Sequence, residues 1–398
     1  MQNSLLSKIL DRDTSLLAHD ISANASEIES VVKNSRILVI GAAGSIGGAF
    51  VKVISQFKMR SLHLIDISEN SLVEVVRDLR SSGIDLPNDF RTFAIDFSQP
   101  EFKSLLESES YDYVLNFSAL KHVRSERDPY TLMRLLNVNV LANDDLAKTL
   151  CRTDTKRVFS VSSDKSVRPG NLMGASKALM ERVFLTYADQ VSFTSARFAN
   201  VAFSAGSLLD SFERRLAKFQ PLSAPNDIKR YFISHEEAGQ LCFLSCFLGN
   251  NREIFYPQFE QAKDMLTFSE IAKLVLESKG LTPIECQSDV EALELSRSLT
   301  TSSKEWPCHF SSSDTSGEKP YEEFVDPAET TDESRFEKVG VVIDPVFHGN
   351  DSVSSSLGAI RSLLNEGSWT KTDLAAAIRT AVPELNHIAS EKNLDQKM

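Results

Sequence analysis

Short runs of apolar residues, mostly β-branched or aromatic, recur along the first half of the chain, and segments with helical spacing separate them. The runs of strand length are RILVIGA, SLHLID, RTFAIDF, YVLNFSA, RVFSVSS and SFTSARF. Strands that are apolar on both faces are typical of a parallel sheet with helices on each side. Residues 35–198 therefore predict an α/β fold built on a doubly wound parallel sheet.

The pattern changes on either side of this region. Residues 1–34 carry apolar positions at three- and four-residue spacing, which predicts a helical N-terminal extension. Beyond residue 198, prolines divide the chain into shorter pieces, which predicts a smaller C-terminal lobe over residues 199–346. A segment near 229–257 is expected to return to the sheet. Residues 296–316 are rich in Ser and Thr and predict a long loop, and residues 347–398 predict a helical C-terminal tail.

Composition narrows the class of protein. The 398 residues are 42% hydrophobic and 25% charged, which is enough to bury a sizeable core. The net charge of -12 argues against nucleic acid and anionic membranes as partners. Five scattered cysteines favour a reduced, cytoplasmic compartment, and no apolar run predicts membrane insertion. Cys242 and Cys246, in LCFLSCFL, predict a core helix rather than a metal site, so no metal is expected.

A glycine array follows the first predicted strand. Gly41, Gly44 and Gly47 form a G-x-x-G-x-x-G pattern, with Ser45 and Ile46 inside it, that leads directly into a helix. Glycines suit a tight turn whose backbone approaches a pyrophosphate, and the helix N-terminus stabilises its charge. The strand, array, helix and next strand together predict a Rossmann-type dinucleotide site.

The second predicted strand ends at Asp66, 25 residues after Gly41. A carboxylate there binds both hydroxyls of the adenosine ribose and repels a 2'-phosphate, which favours NAD over NADP. Capping of the following helix is the alternative role for Asp66. Asp96 and Phe97, which close the third predicted strand, are placed to reach the adenine, although an Asp at a strand end is also common in turns.

The segment SSDKSVRPGNLMGASK, residues 162–177, carries the candidate chemistry. Asp164 and Lys165 are adjacent at the end of the fifth predicted strand and supply one carboxyl and one amine for acid–base catalysis. Met173 stands four residues before Lys177, where a nicotinamide enzyme of this type carries a proton-transferring tyrosine. A thioether cannot take a proton.

These motifs resemble those of extended short-chain dehydrogenases/reductases, and within them the nucleotide-sugar 4,6-dehydratases of the CapD-like family. The matching pieces, over about residues 35–325, are GAAGSIGG, FSALKHV, SVSSDKSVRPGNLMGASK, RFANVAFSAGSLL, KRYFIS and SGEKPYEEF. Some members of this family carry methionine at the position of Met173. The resemblance implies NAD, and it implies a UDP-N-acetylglucosamine 4,6-dehydratase in bacterial surface polysaccharide or nonulosonic acid synthesis. Residues 199–346 would then form a substrate-binding lobe.

The same resemblance implies roles for the residues of the segment. Asp164 would protonate the departing C6 hydroxyl, Lys165 would take the C5 proton, and Lys177 would hold the nicotinamide ribose. Asp164, through water or Ser163, would also replace the missing tyrosine at C4, and Met173 would otherwise pack against the sugar. A neighbouring ammonium and carboxylate shift each other's pKa in the wrong direction for an acid and a base, whereas burial opposes this. A purely structural ion pair is the alternative.

Further candidates concern the nucleotide sugar. Lys121 follows the fourth predicted strand, at the sheet edge where ligands bind. Asn200 and Arg230 match family positions near the diphosphate and base, and Glu318 belongs to the GEK motif. Thr315 stands where the family usually has an arginine, which puts one diphosphate contact in doubt.

Two other functions are compatible with a Rossmann-type sheet. A sugar-nucleotide 4-epimerase or reductase needs the tyrosine and does not need the Asp164–Lys165 pair. A non-catalytic NAD-sensing module would account for the loss of the tyrosine but not for the intact pair. The resemblance implies pairing of subunits through two helices each, and the helix after Met173, SKALMERVFLTYA, has an apolar stripe suited to that, so a homo-oligomer is expected. Packing of the same stripe on the sheet is the alternative.

Overall fold

The structure is a computed structural model that describes residues 2–260, 264–313 and 317–386. Its strands are β1 (Arg36–Ile40), β2 (Ser61–Asp66), β3 (Asp89–Ala94), β4 (Tyr113–Asn116), β5 (Arg157–Val161), β6 (Ser192–Ala196), β7 (Asn200–Val201), β8 (Leu222–Pro225), β9 (Lys229–Ile233), β10 (Ile254–Pro257), β11 (Met265–Thr267), β12 (Thr282–Glu285), β13 (Glu305–Ser311), β14 (Thr330–Asp332) and β15 (Val339–Asp344).

Its α-helices are α1 (Gln2–Leu10), α2 (Ala18–Ala23), α3 (Ala25–Val32), α4 (Ser45–Ile54), α5 (Glu69–Ser81), α6 (Pro100–Ser108), α7 (Pro129–Leu136), α8 (Ala142–Leu150), α9 (Leu172–Tyr187), α10 (Leu208–Ala217), α11 (His235–Leu248), α12 (Phe268–Ser278), α13 (Asp289–Ser296), α14 (Asn350–Glu366) and α15 (Lys371–Arg379). A π-helical turn (Asn137–Leu141) joins α7 to α8, and 3-10 turns cover Val123–Glu126 and Asp164–Ser166.

The main sheet has nine strands in the order β14-β15-β10-β6-β5-β4-β1-β2-β3. Strands β3 to β10 of this order are parallel, whereas β15 is antiparallel to β10 and β14 is antiparallel to β15. Alternate residues of β1 enter different cores: Ile37 and Val39 pack with α4 and α11, and Leu38 and Ile40 pack with α6, α8 and α9. The predicted doubly wound parallel sheet is confirmed.

The order places β1 and β4 side by side with their helices on opposite faces, which is the switch point where such sheets bind ligands. Cys242 and Cys246 lie on α11 and are fully buried in the core beside β1, as expected for a core helix. The segment near 229–257, which was expected to return to the sheet, contributes two elements to it. Strand β10 pairs with β6, and α11 packs against α4.

A smaller lobe is built from two three-stranded sheets, β11-β9-β7 and β12-β13-β8. Helices α1, α10 and α12 share its core with Trp306 and Cys308 of β13. The prediction of one long loop over residues 296–316 is wrong, because Glu305–Ser311 form the central strand of the second small sheet. Trp306 and Cys308 are two residues apart and point to one face, a signal that the surrounding Ser and Thr residues obscured.

Strands β14 and β15 differ from the expected organisation. We placed them in the smaller lobe, but both are hydrogen-bonded into the nine-stranded sheet beyond β10. The position of β14 and β15 in the main sheet cannot be read from their order along the chain, because both come after all the strands of the smaller lobe.

The C-terminal helices α14 and α15 pack on α7 and α9. Every residue of α9 from Leu172 to Leu185 is buried within the chain. The apolar stripe that we expected to pair with a second subunit is therefore covered by helices of the same chain. Among the described residues, no helix is long and apolar enough to cross a membrane.

Candidate active site

The glycine-rich turn after β1 has a shape that only glycine permits. Gly41 has a φ of +72°, and a Cβ added at Gly47 would lie 2.1 Å from Gly41 O. Gly44 is the N-cap residue of α4 and provides no side chain to cap it, so the first N–H groups of the helix are available to an anion. Ser45 Oγ accepts a hydrogen bond from Ala205 N at 3.0 Å, which ties this turn to the smaller lobe, and Ile46 packs on the core. The turn fits a dinucleotide pyrophosphate.

Asp66 lies at the end of β2 beside the glycine-rich turn. Its Oδ2 accepts a hydrogen bond from Ala43 N at 3.0 Å, and its Oδ1 accepts one from Ser68 N at 2.9 Å. Ser68, and not Asp66, is the N-cap residue of α5. The capping role that was the alternative for Asp66 therefore belongs to Ser68. Each carboxylate oxygen of Asp66 can accept a further hydrogen bond from a ribose hydroxyl.

Asp96 and Phe97 follow β3 in a loop. Asp96 Oδ1 accepts hydrogen bonds from Ser98 N and Ser98 Oγ, which is an ordinary turn contact. Phe97 is buried and packs edge-on against Phe102 of α6, so its environment is that of a core side chain.

The pair Asp164–Lys165 lies in a tight turn directly after β5. Three donors converge on Asp164 Oδ1: Ser163 Oγ at 2.7 Å, Lys165 N at 2.8 Å and Lys165 Nζ at 3.1 Å. Lys165 Nζ also donates to Asn200 Oδ1 at 3.4 Å, at the start of β7. Four of the predicted residues therefore form one hydrogen-bonded group at the carboxyl end of the sheet.

Lys177 is fully buried on α9, behind the same strand end. Its Nζ donates to Val161 O at 2.8 Å and forms no other hydrogen bond with a described residue. Burial lowers the pKa of Lys177 to about 8, and the carboxylate of Glu181 opposes the shift. A buried ammonium with N–H groups left over fits the binding of ribose hydroxyls.

The buried ion-pair network around Glu181 was not predicted from the sequence. Arg197, directly after β6, donates to Glu181 Oε2 at 2.7 Å and to Glu329 Oε2 at 2.7 Å, and Ser162 and Ser166 also donate to Glu181. Against the effect of burial, the Arg197 guanidinium holds the pKa of Glu181 below its ordinary value. The network holds α9 against the ends of β5 and β6. It thereby fixes the position of Lys177 on α9 relative to the end of β5.

Met173 begins the same helix as a packing residue. Its side chain is 3% exposed, among apolar residues of α7 and the C-terminal helices, and its N–H donates to Glu126 Oε1 at 2.8 Å. The structure thus places a buried thioether where the tyrosine would act.

Residues 317–324, which we call the clasp, cross from the smaller lobe to the turn before α9. Gly317 has a φ of +71°, and a Cβ there would lie 2.1 Å from Gly170 O. Lys319 Nζ donates to Val167 O at 2.8 Å. The clasp therefore closes over the turn that carries Asp164 and Lys165.

Arg230 of β9 anchors the clasp. It is 2% exposed and donates to Lys319 O at 3.0 Å and to Glu318 Oε1 at 3.0 Å. The predicted substrate residues Arg230 and Glu318 are therefore paired with each other. The guanidinium of Arg230 donates its hydrogen bonds to other residues of the protein, whereas Glu318 also lines a cavity. Thr315 lies outside the described residues.

A cavity of about 350 Å³ extends from Lys165 to the ends of β8 and β13. The residues that line it include Asn171, Glu318, Glu322, Ser223, Pro225, Phe268 and Ser311 to Ser313. Lys121 is exposed in the loop after β4, where its Nζ donates to Ser204 Oγ at 3.4 Å. Glu322 was not among the predicted residues, although it belongs to the motif SGEKPYEEF.

The strand order and the glycine-rich turn define an extended short-chain dehydrogenase/reductase fold. The solved structure of Pen from Bacillus thuringiensis shares it, with a TM-score of 0.64 and 20% identity over 79% of this chain and 89% of that one. Residues 37–344 match the family described as polysaccharide biosynthesis protein, and the chain belongs to this family. The resemblance expected from the motifs is confirmed.

Relatives of the chain include a probable polysaccharide biosynthesis protein, EpsC of Bacillus subtilis, 27% identical over 81% of this chain and 50% of EpsC. The chain thus spans about half the length of EpsC. The UDP-N-acetylglucosamine 4,6-dehydratase (inverting) of Campylobacter jejuni is 25% identical over 57% of this chain and 68% of that protein. The UDP-glucose 4-epimerase of Rickettsia bellii is 25% identical over 55% and 64%. Both nucleotide-sugar dehydratases and epimerases are therefore relatives.

Proposed function

We propose that the protein is an NAD-dependent nucleotide-sugar 4,6-dehydratase whose substrate is UDP-N-acetylglucosamine. The observation that carries the proposal is the pair of buried Asp164 and half-buried Lys165 at the end of β5, whose lysine lines a cavity. The pair supplies the acid–base groups that loss of water requires. The dehydratase of Campylobacter jejuni supports the choice of UDP-N-acetylglucosamine.

The glycine-rich turn, Asp66 and Lys177 would hold the cofactor. Bound NAD would supply the hydride acceptor for sugar C4 and the hydride donor for C6. Asp66 would accept hydrogen bonds from the adenosine ribose, and its negative charge disfavours the 2'-phosphate of NADP. Lys177 would hold the nicotinamide ribose through the N–H groups that Val161 leaves available.

The residues of the β5 turn would perform the proton transfers. Asp164, with Ser163 beside it, accepts the proton of the C4 hydroxyl in place of the tyrosine. The resulting C4 ketone acidifies the C5 proton, which Lys165 takes. The family resemblance implies Asp164 as the acid at C6 as well.

A 4-epimerase is the second candidate, because an epimerase of Rickettsia bellii is similar to this chain at the same identity as the dehydratase. Epimerisation oxidises and reduces C4 only, so it needs a proton acceptor at C4 and no acid–base pair for C5 and C6. The buried Met173 and the adjacent Asp164–Lys165 pair favour dehydration.

Incubation of the purified protein with UDP-N-acetylglucosamine tests the proposal. The expected product is lighter than the substrate by one water, and the denatured protein is expected to release NAD. UDP-glucose and dTDP-glucose, tested in parallel, report on the amide and on the base. A product of unchanged mass with inverted C4 would instead identify an epimerase, and release of NADP alone would contradict the role of Asp66.

A further inference from the structure

Glu181 lies one helical turn beyond Lys177 on α9 and is buried between three parts of the chain. Arg197 donates to both of its carboxylate oxygens, from Nε to Oε1 at 3.0 Å and from Nη2 to Oε2 at 2.7 Å. Ser162 Oγ and Ser166 Oγ both donate to Oε1. One carboxylate therefore joins α9 to the β5 turn and to the end of β6.

The two serines lie on either side of the residues that would perform the proton transfers. Ser162 directly precedes residues 163–165, and Ser166 directly follows them. Ser166 Oγ lies 2.7 Å from Ser163 O and 3.0 Å from Glu181 Oε1, so its proton is shared between the turn and the carboxylate. Glu181 therefore holds both ends of the turn from the helix behind it, as a supporting side chain does for catalytic groups.

Arg197 extends the same network to the clasp. Its Nη1 donates at 3.0 Å to the carbonyl oxygen of Phe324, the last residue of the clasp, and at 2.7 Å to Glu329 Oε2. The side chains of Glu181, Arg197 and Glu329 are at most 6% exposed, so solvent screens their charges little. One buried ion-pair network therefore fixes the β5 turn and the end of the clasp relative to each other.

The charge of Glu181 also acts on Lys177. Burial lowers the pKa of Lys177 to about 8, and the carboxylate of Glu181 opposes that shift. Glu181 therefore keeps Lys177 as an ammonium up to a higher pH than burial alone would allow. The elements packed against this part of α9 carry the charged groups Arg124, Glu126, Asp164, Lys165 and Arg197.

An ammonium at Lys177 would act on a bound nicotinamide as well as on its ribose. The oxidised nicotinamide ring carries a positive charge and the reduced ring carries none, so a cation beside the ring favours the reduced form. Hydride transfer from C4 should therefore be faster while Lys177 is charged.

We propose that Glu181 is a positioning residue of this active site, which holds the β5 turn through Ser162 and Ser166 and keeps Lys177 positively charged beside the cofactor. The inference rests on the proposed function, in which the turn transfers the protons and Lys177 holds the nicotinamide ribose. Glu181 acts through these residues and not on the substrate. Its effect on charge and its effect on geometry are tested with different variants.

The effect on charge is tested by Glu181→Gln, with Glu329→Gln as the matched control. Each substitution removes one negative charge from a buried partner of Arg197 and keeps the length of the side chain, so both should lower the thermal midpoint. Only Glu181→Gln removes the charge that acts on Lys177. The titration of Lys177, followed by NMR of its isotope-labelled Cε and assigned with Lys177→Arg, should move to lower pH in Glu181→Gln and stay unchanged in Glu329→Gln.

The same shift should appear in the reaction. The rate at which reduced cofactor forms with UDP-N-acetylglucosamine should decline at alkaline pH, because Lys177 loses its proton. This decline should begin at lower pH in Glu181→Gln than in Glu329→Gln. Formation of reduced cofactor precedes the proposed step of Lys165, so the titration of Lys165 does not enter this rate.

The effect on geometry is tested by Ser166→Ala, which removes a tether of the turn and leaves no buried charge unpaired. Turnover should fall about tenfold to 10²-fold, a usual cost of displacing catalytic groups, while the titration of Lys177 stays that of the unaltered protein. Ser195→Ala is the matched control, because Ser195 is also buried and its hydroxyl donates to Ser160 O within the sheet at 2.7 Å. Its turnover should be unchanged.

The titration of Lys177 needs no substrate, so it separates this inference from the proposed function. If the unaltered protein removes no water from UDP-N-acetylglucosamine while Glu181→Gln shifts the titration, the dehydratase function fails and the charge effect of Glu181 stands. An unchanged Lys177 titration in Glu181→Gln, an equal shift in Glu329→Gln, or normal turnover in Ser166→Ala would overturn the proposal.

Discussion

Single side chains in this site differ in chemistry because they differ in the hydrogen bonds they receive. Asp164 and Glu322 are both buried carboxyls near Lys165 Nζ, yet three donors converge on Asp164 and none reaches Glu322. Lys165 lies between them and donates to one only.

Variants of the β5 turn should separate the first two proton transfers. Asp164→Asn removes the acceptor of the C4 proton, so no reduced cofactor should appear. Lys165→Ala leaves C4 oxidation possible but removes the C5 base, so reduced cofactor should accumulate before water is lost. Each loss in turnover should be about 10²- to 10⁴-fold. Single-turnover absorbance of the nicotinamide distinguishes them, and a normal transient in Asp164→Asn would show that another group takes the C4 proton.

The sequence could predict contacts between residues that are neighbours along the chain. Asp164, Lys165 and Ser163 are consecutive, so their hydrogen bonds follow from one turn after one strand. Glu322 could not be assigned in this way, because its position beside Lys165 depends on contacts between segments about 150 residues apart. The burial of Arg230 was likewise hidden, since its partners belong to the clasp.

Among the structural elements, the clasp is where the fold and the proposed chemistry are coupled. Gly317 meets Gly170 O where no side chain fits, Lys319 bonds to the turn before α9, and Glu322 lies beyond them facing Lys165. A change at the glycine contact should therefore alter the site without touching an ionisable group.

Gly317→Ala tests this coupling. The added Cβ would overlap Gly170 O, so the clasp should move and the KM for the nucleotide sugar should rise, with bound NAD retained. Gly280→Ala is a matched control, because Gly280 has a similar φ of +69° and no atom within 4 Å of the added Cβ. Both variants should lose about 1 kcal/mol of unfolding free energy from the backbone conformation. Only Gly317→Ala should change the KM, and equal KM values would contradict a role for the contact.

The helices and strands could be predicted where a single hydrophobic period continues along the whole element. The apolar strands of the parallel sheet and the 3.6-residue spacing of the flanking helices are local signals. Strand β13 was not predicted, because its buried residues Trp306 and Cys308 lie in a Ser- and Thr-rich stretch. Strand β15 was misplaced because its partner β10 lies about 80 residues earlier, and no local pattern records that pairing. Strand β14 was misplaced with it, because β14 pairs with β15.

At the scale of the whole molecule, the C-terminal helices change how the chain can assemble. The expectation that α9 pairs with a second subunit rested on its apolar stripe and on the family resemblance, and α14 and α15 bury that stripe within one chain. Arg182 of α9 donates to Ala381 O and to Glu384, so the cover is held by buried polar contacts as well as by apolar packing. Any assembly of the intact protein should therefore use another surface.

Ile378→Arg on α15 tests whether this cover keeps the α7–α9 surface from associating. Ile378 is fully buried against that surface, and an arginine there would place an unpaired charge in an apolar core. We expect α15 to detach and light scattering to show concentration-dependent association beyond that of the unaltered protein, because a large apolar patch becomes exposed. Ala376→Arg, on the exposed side of the same helix, adds the same charge without disturbing the packing and should leave the association unchanged. If Ile378→Arg leaves the apparent mass unchanged while circular dichroism shows a folded protein, the cover does not control association. Dissociation of an existing oligomer by Ile378→Arg would instead place an assembly contact on α15 itself.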